Sequence, residues 1–315
     1  MENMMKQDHT QTQIKYFKFF SAFLGPIVSI IVNFLLVTLR KRIPLDESLQ
    51  ERKILLDTPD SNHITLSILR KGNIKKPSPC IVYFQGSAFF MKEAPHQRRL
   101  VMEYAKRTNA TVIDVEYRLP PKYPYPTPLE DCDLAVNWIF EHTDYLQIDP
   151  NQIAVAGDSA GGALAAIIAL LRRDRMDKQF CFQMLIYPVT ELTLHTSSLF
   201  NLREAPLWNS VLNKLMWALY LQDENNVKQE YAAPMNAKYF NSLPPTYIEV
   251  CEYDPLRAEG KRYAQKLREA GVKIEEYFVE GAPHAYDLRM SSKRAQKFIS
   301  KRVEAFKEAF DSVER

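Results

Sequence analysis

The sequence is poor in cysteine, in glycine and in net charge. Its four cysteines are far apart and form no C-x-x-C pair: Cys80, Cys132, Cys181 and Cys251. Because each lies in or beside an apolar run, we predict small, buried, reduced side chains. This usage disfavours a disulfide framework and favours a reducing compartment. We therefore predict a cytoplasmic location, with membrane association left open by the N-terminal segment described below.

The net charge of +3 is small and unevenly distributed. Residues 1–42 have six basic and two acidic side chains, whereas the other 273 residues have 35 basic and 36 acidic ones. The body of the chain therefore lacks the net basic excess typical of nucleic-acid-binding proteins. We predict no nucleic-acid partner, and we would look for an electrostatic partner only at the N-terminus.

One long stretch contains no charged residue, from Phe19 to Leu39, and cations flank both of its ends. It is long enough to span a bilayer. Small or weakly polar residues recur in it every four positions: Ser21, Gly25, Ser29 and Asn33. On a helix they form one stripe, which fits either a cap helix over an apolar site or the packing face of a membrane anchor. We predict an apolar helix within residues 1–45, and residues 14–42 are the segment that would associate with a membrane.

Strand-like and helix-like segments alternate along the rest of the chain, after a hairpin. The hairpin joins predicted strands at 52–58 and 64–70 through a turn-prone Pro-Asp-Ser-Asn sequence. Further strands are predicted at 80–84, 110–117, 153–156, 182–187, 245–251 and 273–279. Helices are predicted at 96–108, 127–142, 160–174, 208–221, 255–270 and 292–313. This alternation predicts an α/β fold with a mostly parallel central sheet flanked by helices.

The exception to the alternation is residues 188–244, a long excursion rich in leucine and aromatic residues. It is too long for a simple crossover, so we expect it to form a helical cap over the C-terminal edge of the sheet. We therefore predict a catalytic domain over 46–315 that contains this cap insertion, with the N-terminal helix packed on it or associated with a membrane.

The glycines are few and clustered. The chain has nine, roughly half of what average usage would give, and three of them, Gly157, Gly161 and Gly162, surround Ser159. Residues 157–161 match G-x-S-x-G between a predicted strand and an apolar helix, the context of a nucleophile elbow. The N–H groups at the start of such a helix stabilise an anion beside the serine. We predict Ser159 as a nucleophile.

A serine nucleophile needs a base and an orienting acid. Of the six histidines, His284 follows the last predicted strand, where its loop reaches the same sheet edge as Ser159. The chain order Ser–Asp/Glu–His then favours Asp254, just beyond the strand at 245–251. Glu252 is the nearest competitor, and the alternative role for Asp254 is to cap the following helix.

These motifs resemble those of the hormone-sensitive-lipase family of α/β-hydrolases, in its bacterial esterase branch. The matching segments are Tyr117-Arg118-Leu119, Leu129-Glu130-Asp131, Gly157 to Gly162, Leu243-Pro244-Pro245, Glu252 to Arg257, Glu259-Gly260 and His284. The resemblance covers residues 50–312. It implies an α/β-hydrolase fold with a helical cap, and the hydrolysis of carboxylic esters with small acyl groups.

An oxyanion hole is the third requirement, and here the sequence departs from the family. The His-Gly-Gly-Gly loop of the family is Gln85-Gly86-Ser87-Ala88 in this chain. By position, the resemblance implies backbone N–H donors from Ser87 and Ala88, together with Ala160 after the nucleophile. Serine and alanine tolerate fewer backbone conformations than glycine, and losing one donor lowers the rate by roughly 10²–10³. The departure therefore predicts reduced or altered activity.

We predict a serine carboxylesterase for short- to medium-chain acyl esters, acting through an acyl-enzyme without a cofactor or metal ion. Candidate substrate-binding side chains are Phe89, Phe90, Trp208 and Met216. The predicted partner is a small acyl ester, and a homodimer is left open. Two alternatives are kept: an amidase or deacetylase with the same triad, and a non-catalytic ligand-binding protein, because the fold alone does not decide function.

Overall fold

The structure, a computed structural model, describes residues 25–72, 77–192, 202, 205–223 and 230–313. Residues 25–29 are described by their backbone only. Residues 1–24 of the predicted N-terminal helix, and parts of the predicted cap insertion, lie outside the described residues.

The described residues form eight strands: β1 Leu49–Asp57, β2 His63–Lys71, β3 Ser78–Phe84, β4 Thr111–Glu116, β5 Ile148–Asp158, β6 Phe182–Ile186, β7 Thr246–Tyr253 and β8 Ile274–Pro283. The described α-helices are α1 Gly25–Arg40, α2 Pro95–Thr108, α3 Thr127–Glu141, α4 Thr143–Leu146, α5 Ala160–Asp174, α6 Ser210–Leu221, α7 Arg257–Glu269 and α8 Lys293–Val313. Short 3₁₀ helices lie at Glu230–Ala232, Pro234–Asn236 and Tyr286–Leu288. Each predicted strand and helix corresponds to one of these segments.

The strands form one sheet in the order β1-β2-β4-β3-β5-β6-β7-β8. Strand β2 is antiparallel to both of its neighbours, and all pairs from β4 to β8 are parallel. The predicted mostly parallel sheet is therefore confirmed. Because parallel strands end at the same edge, the loops after β3, β5, β7 and β8 meet there.

Helices cover both faces of the sheet. Helices α2 and α8 contribute to the apolar core on one face, and α3, α5 and α7 to the core on the other. Burial on both faces explains why the central strands are continuous apolar runs. All four cysteine thiols are free, as predicted; three of them are buried, also as predicted, whereas Cys181 is only half-buried.

Helix α1 lies against the segment that follows β3. The Asn33 side-chain amide donates to the carbonyl oxygen of Phe90 over 3.0 Å, and its oxygen accepts from the amide of Lys92 over 2.6 Å. Another part of the helix surface is exposed, with Ile30 at 68% and Phe34 at 75% of full exposure. Within the described part of the chain, no helix combines the length and apolar character required to cross a membrane.

The Arg40 side chain at the end of α1 is shared by three carboxylates. The Arg40 guanidinium contacts the Glu93 carboxylate, and it lies 3.0 Å from Glu116 Oε1 and 3.8 Å from Asp114 Oδ2. The Asp114 side chain is 1% exposed. Burial and the neighbouring Glu93 carboxylate raise the pKa of Asp114 well above its ordinary value, although Arg40 opposes the shift.

This raised pKa predicts a pH-dependent stability. The folded protein holds a proton on Asp114 that the unfolded chain releases above about pH 4, so the free energy of unfolding falls as the pH rises. We expect Asp114→Asn to remove this loss, so that its advantage over the wild type in thermal unfolding grows between pH 4 and pH 8.

The control for this experiment is Asp311→Asn, because Asp311 is exposed on α8. Its unfolding temperature should follow that of the wild type across the series. Parallel curves for Asp114→Asn and the wild type would contradict the assignment.

Candidate active site

Ser159 lies on a strained turn between β5 and α5. Its backbone has φ 52° and ψ −117°, a conformation that residues other than glycine rarely adopt. A Cβ atom on Gly157 would lie 2.2 Å from the carbonyl oxygen of Gly161, and one on Gly161 would lie 2.0 Å from that of Phe84. The glycines are clustered here because the backbone approaches itself too closely for any side chain.

The three predicted triad residues come together at the carboxyl edge of the sheet. The His284 Nε2 atom lies 2.9 Å from Ser159 Oγ, and its Nδ1 atom lies 2.7 Å from Asp254 Oδ2. Strand β5 leads to the serine, β7 to the aspartate and β8 to the histidine. All three side chains are at most 6% exposed. This geometry suits proton transfer from the serine hydroxyl to the imidazole.

The Asp254 carboxylate uses its two oxygens for two partners. Oδ2 lies beside the imidazole, and Oδ1 accepts a hydrogen bond from the amide of Leu256 over 2.9 Å. Helix α7 begins at Arg257. The N-cap residue of this helix is Leu256, without a side-chain cap hydrogen bond, so Asp254 does not have the alternative role of capping the helix, whereas its contact with the histidine is present.

Aromatic rings surround the His284 imidazole. The Tyr187 ring meets it edge to face at 4.8 Å, and the Trp208 ring is tilted against it at 5.8 Å. The Tyr187 hydroxyl donates to Asp287 Oδ1 over 2.6 Å. The histidine is therefore enclosed by side chains that are themselves held in place.

A buried ion cluster lies behind this wall. The Arg302 guanidinium donates to both oxygens of Glu249, over 2.8 and 2.6 Å, and to Asp287 Oδ2 over 2.7 Å. Burial alone would raise the pKa of Asp287, but Arg302 and the Tyr187 hydroxyl hold it below its ordinary value. Because Asp287 follows His284 by three residues, the cluster supports the loop that presents the imidazole.

The loop after β3 departs from ordinary backbone geometry. Ser87, Ala88 and Phe89 have φ values of 64°, 57° and 63°, three consecutive residues in the left-handed region. The hormone-sensitive-lipase family, which this chain resembles, has glycines at the positions of Ser87 and Ala88. Serine and alanine therefore adopt a strained backbone here. The amides of Ser87, Ala88 and Ala160 donate no backbone hydrogen bond to the described residues.

Contacts from other segments hold this loop. The Tyr117 hydroxyl donates to the carbonyl oxygen of Gln85 over 2.8 Å, and the amide of Gly86 donates to Asp158 Oδ1 over 3.0 Å. Gln97 connects the loop to the end of β5: its Nε2 donates to Asp158 Oδ2 over 2.8 Å, and its Oε1 accepts from Ser87 Oγ over 3.1 Å. The Gln85 side-chain oxygen is buried without a hydrogen-bond partner among the described residues.

The other matching motifs brace the loops around the site. Arg118 donates to Asp131 through two nitrogens, over 2.7 and 2.9 Å, and so joins the segment after β4 to α3. The buried Glu259 accepts from the amide of Thr190 over 2.8 Å and so ties the start of the cap insertion to α7. These contacts are structural, and none involves the triad directly.

The predicted substrate-binding side chains are all buried. The Phe89 ring stacks on Tyr220 at 4.0 Å, which places α6 directly over the loop after β3. Trp208 lies beside the histidine, as described above. Tyr187, Gln97 and Arg302 were not predicted as site residues. Only Arg302 has a sequence signal, because it is a charged residue four positions from both Phe298 and Phe306 on a helix, where an apolar side chain is expected.

Comparisons with known proteins identify the fold family. A family model described as alpha/beta hydrolase fold matches residues 81–288. Esterase LipI of Mycobacterium tuberculosis is 36% identical over 66% of this chain, and the match spans 66% of its own length, just under two thirds. An arylesterase of Saccharolobus solfataricus is 30% identical over 81% of this chain and 82% of its own.

Solved structures agree with this. A bacterial heroin esterase superimposes with a TM-score of 0.84 and 30% identity, over 90% of this chain and 92% of its own. The fold and the family predicted from the sequence are confirmed, and the relatives carry the names of the predicted enzyme class, carboxylic ester hydrolases.

The contacts of the loop after β3 predict the effect of removing one hydroxyl. We expect Tyr117→Phe to lower kcat for ester hydrolysis by about 10- to 100-fold with little change in KM, because a misplaced loop weakens stabilisation in the transition state. Steady-state kinetics with a p-nitrophenyl ester measures both constants.

Tyr277→Phe is the matched control, since this hydroxyl contacts only Glu275, at 3.4 Å, among the described residues. It should retain wild-type kinetics. A normal kcat for Tyr117→Phe would show that the loop keeps its position without this hydrogen bond.

Proposed function

The chain belongs to the α/β-hydrolase-fold family, in its bacterial esterase branch, and from that premise we propose that it is a serine carboxylesterase. The observation that carries the proposal is the continuous hydrogen-bonded chain from Ser159 through His284 to Asp254. The esterase names of the relatives support the same reaction class.

In the first step, Ser159 Oγ attacks the ester carbonyl carbon while His284 Nε2 takes the hydroxyl proton. Asp254 holds the Nδ1–H tautomer and stabilises the imidazolium. The imidazolium then returns its proton to the leaving alkoxide, and the alcohol departs from the acyl-enzyme. In the second step, His284 activates a water molecule, whose attack releases the carboxylic acid and restores the serine.

The negative charge that develops on the carbonyl oxygen needs fixed donors. We assign this role to the amides of Ala160, Ser87 and Ala88. The first lies at the start of α5, where the helix dipole favours an anion. The other two belong to the left-handed loop after β3, and the bonds from Tyr117 and Gln97 support their position.

We also propose that α1 and the described parts of the insertion 188–244 form a cap on the catalytic domain of 46–315. Helix α6 supports this assignment through the Phe89–Tyr220 stack and through a 2.7 Å hydrogen bond from the Tyr125 amide to the Tyr220 carbonyl oxygen. The aromatic ring of Trp208 beside His284 restricts the space there and favours short to medium acyl chains. Membrane association, a homodimer and a cytoplasmic location stay predictions.

Replacing the nucleophile tests the proposal directly. We expect Ser159→Ala to lower kcat for p-nitrophenyl butyrate by about 10⁶, to the level left by binding alone. Asp254→Asn should lower kcat by about 10⁴ while leaving the fold intact, because the imidazole is then held in the wrong tautomer.

Ser312→Ala, at an exposed position near the end of α8, is the control and should be fully active. Acetanilide assayed beside phenyl acetate separates an esterase from an amidase or deacetylase. Wild-type protein that hydrolyses no ester, or Ser159→Ala that hydrolyses them normally, would overturn the proposed function.

A further inference from the structure

The cap contains a row of buried polar atoms without partners. The row consists of Trp208 Nε1, both side-chain atoms of Asn213, Trp217 Nε1 and the Tyr220 hydroxyl, and none of them has a hydrogen-bond partner in the described residues. All four side chains are at most 7% exposed, and Asn213 is fully buried. Most buried polar groups in folded proteins are paired, so several orphans in one place require a cause.

Three members of the row share one face of α6. Asn213, Trp217 and Tyr220 are spaced by four and three residues, the spacing at which helical side chains are neighbours. The Asn209 side chain caps this helix by accepting from the amides of Val211 and Leu212 over 3.1 and 3.0 Å. The orphan atoms are therefore carried by a helix with a fixed start.

Ring contacts link three members of the row to residues of the proposed site. The Trp217 and Tyr220 rings lie 5.9 and 4.0 Å from that of Phe89, which directly follows Ala88. At the other end, the Trp208 ring lies 5.8 Å from the His284 imidazole. The row therefore adjoins the loop after β3 through Phe89 and the histidine through Trp208.

The chemistry of the row defines what it can bind. Two indole N–H groups, a phenol and one amide offer more donors than acceptors, and none of the four side chains is charged. Burial raises the pKa of Tyr220 well above its ordinary value, so its hydroxyl keeps its proton. An ionised ligand group would be buried without a countercharge from the row, which is unfavourable.

We propose that this row is the specificity site of the enzyme and that it binds a neutral hydrogen-bond acceptor, an ether or carbonyl oxygen, in the substrate. The inference rests on the proposed esterase function and extends it from simple acyl esters to oxygen-bearing ones. A site with buried donors discriminates against a hydrocarbon analogue, because that analogue leaves the donors unpaired.

The test uses esters that differ by one oxygen. p-Nitrophenyl hexanoate is compared with its 3-oxa, 4-oxa and 5-oxa analogues on the acyl side, and butyl acetate with 2-methoxyethyl acetate on the alcohol side. For each ester, kcat/KM of Asn213→Leu is divided by that of the wild type, which cancels the intrinsic reactivity of the substrate.

We expect the ratio for at least one oxygen-bearing ester to be about tenfold lower than for its hydrocarbon match, the effect of one or two lost hydrogen bonds. Asn213→Leu should also unfold at a higher temperature without ligand, because it replaces an orphan amide by an apolar group of similar size. Trp217→Phe and Tyr220→Phe provide the same comparison if the leucine variant does not fold.

Lys214→Ala is the control on the same helix, because Lys214 is exposed and does not belong to the row. It should treat both members of each pair equally. Equal ratios for both esters of every pair, in all row variants, would overturn the inference but not the proposed esterase function. That result is expected if the row only binds water. A wild-type protein inactive on every ester would instead overturn the proposed function, and this inference with it.

Discussion

The site depends on a backbone contact between the end of β3 and the first turn of α5. The carbonyl oxygen of Phe84, at the end of β3, occupies the space that a side chain on Gly161 would need. The nucleophile turn after β5 and the loop after β3 are therefore packed backbone against backbone, with Asp158 joined to Gly86 as a second link. Nucleophile and proposed oxyanion donors consequently form one rigid unit, which a substrate meets already assembled.

The histidine reaches this unit from outside, and its position needs separate support. His284 follows β8, the edge strand. The support comes from the Arg302 cluster, through Asp287 and Tyr187, in which every charge is buried and paired. Removing one member of such a cluster leaves an uncompensated buried charge, typically a loss of about 3–5 kcal/mol. The same charges that orient the loop therefore make it intolerant of substitution.

Much of this could be predicted from local patterns. The central strands are apolar on both faces and the helices between them are not, so the order of strands and helices along the chain could be predicted. The positions of Ser159, Asp254 and His284 after successive strands followed from that order. Gln97 and the Arg40 cluster could not be found this way, because their partners are distant in sequence and polar residues on helices are common. The sequence shows that Gln85–Ala88 departs from the family motif, but it does not show what holds the altered loop. In the structure, hydrogen bonds of Tyr117, Asp158 and Gln97 hold it.

Helix α1 shows why the cap and anchor interpretations of the N-terminal segment are not opposed. The stripe residue Asn33 faces the protein and binds the backbone at Phe90 and Lys92, immediately after the proposed oxyanion loop. Ile30 and Phe34 face outward and are exposed. A helix so divided can contact an apolar surface with one face while the other keeps its bonds to the catalytic domain. Asn33 and Arg40 both join α1 to the segment that follows this loop, through Phe90 and Lys92 and through Glu93.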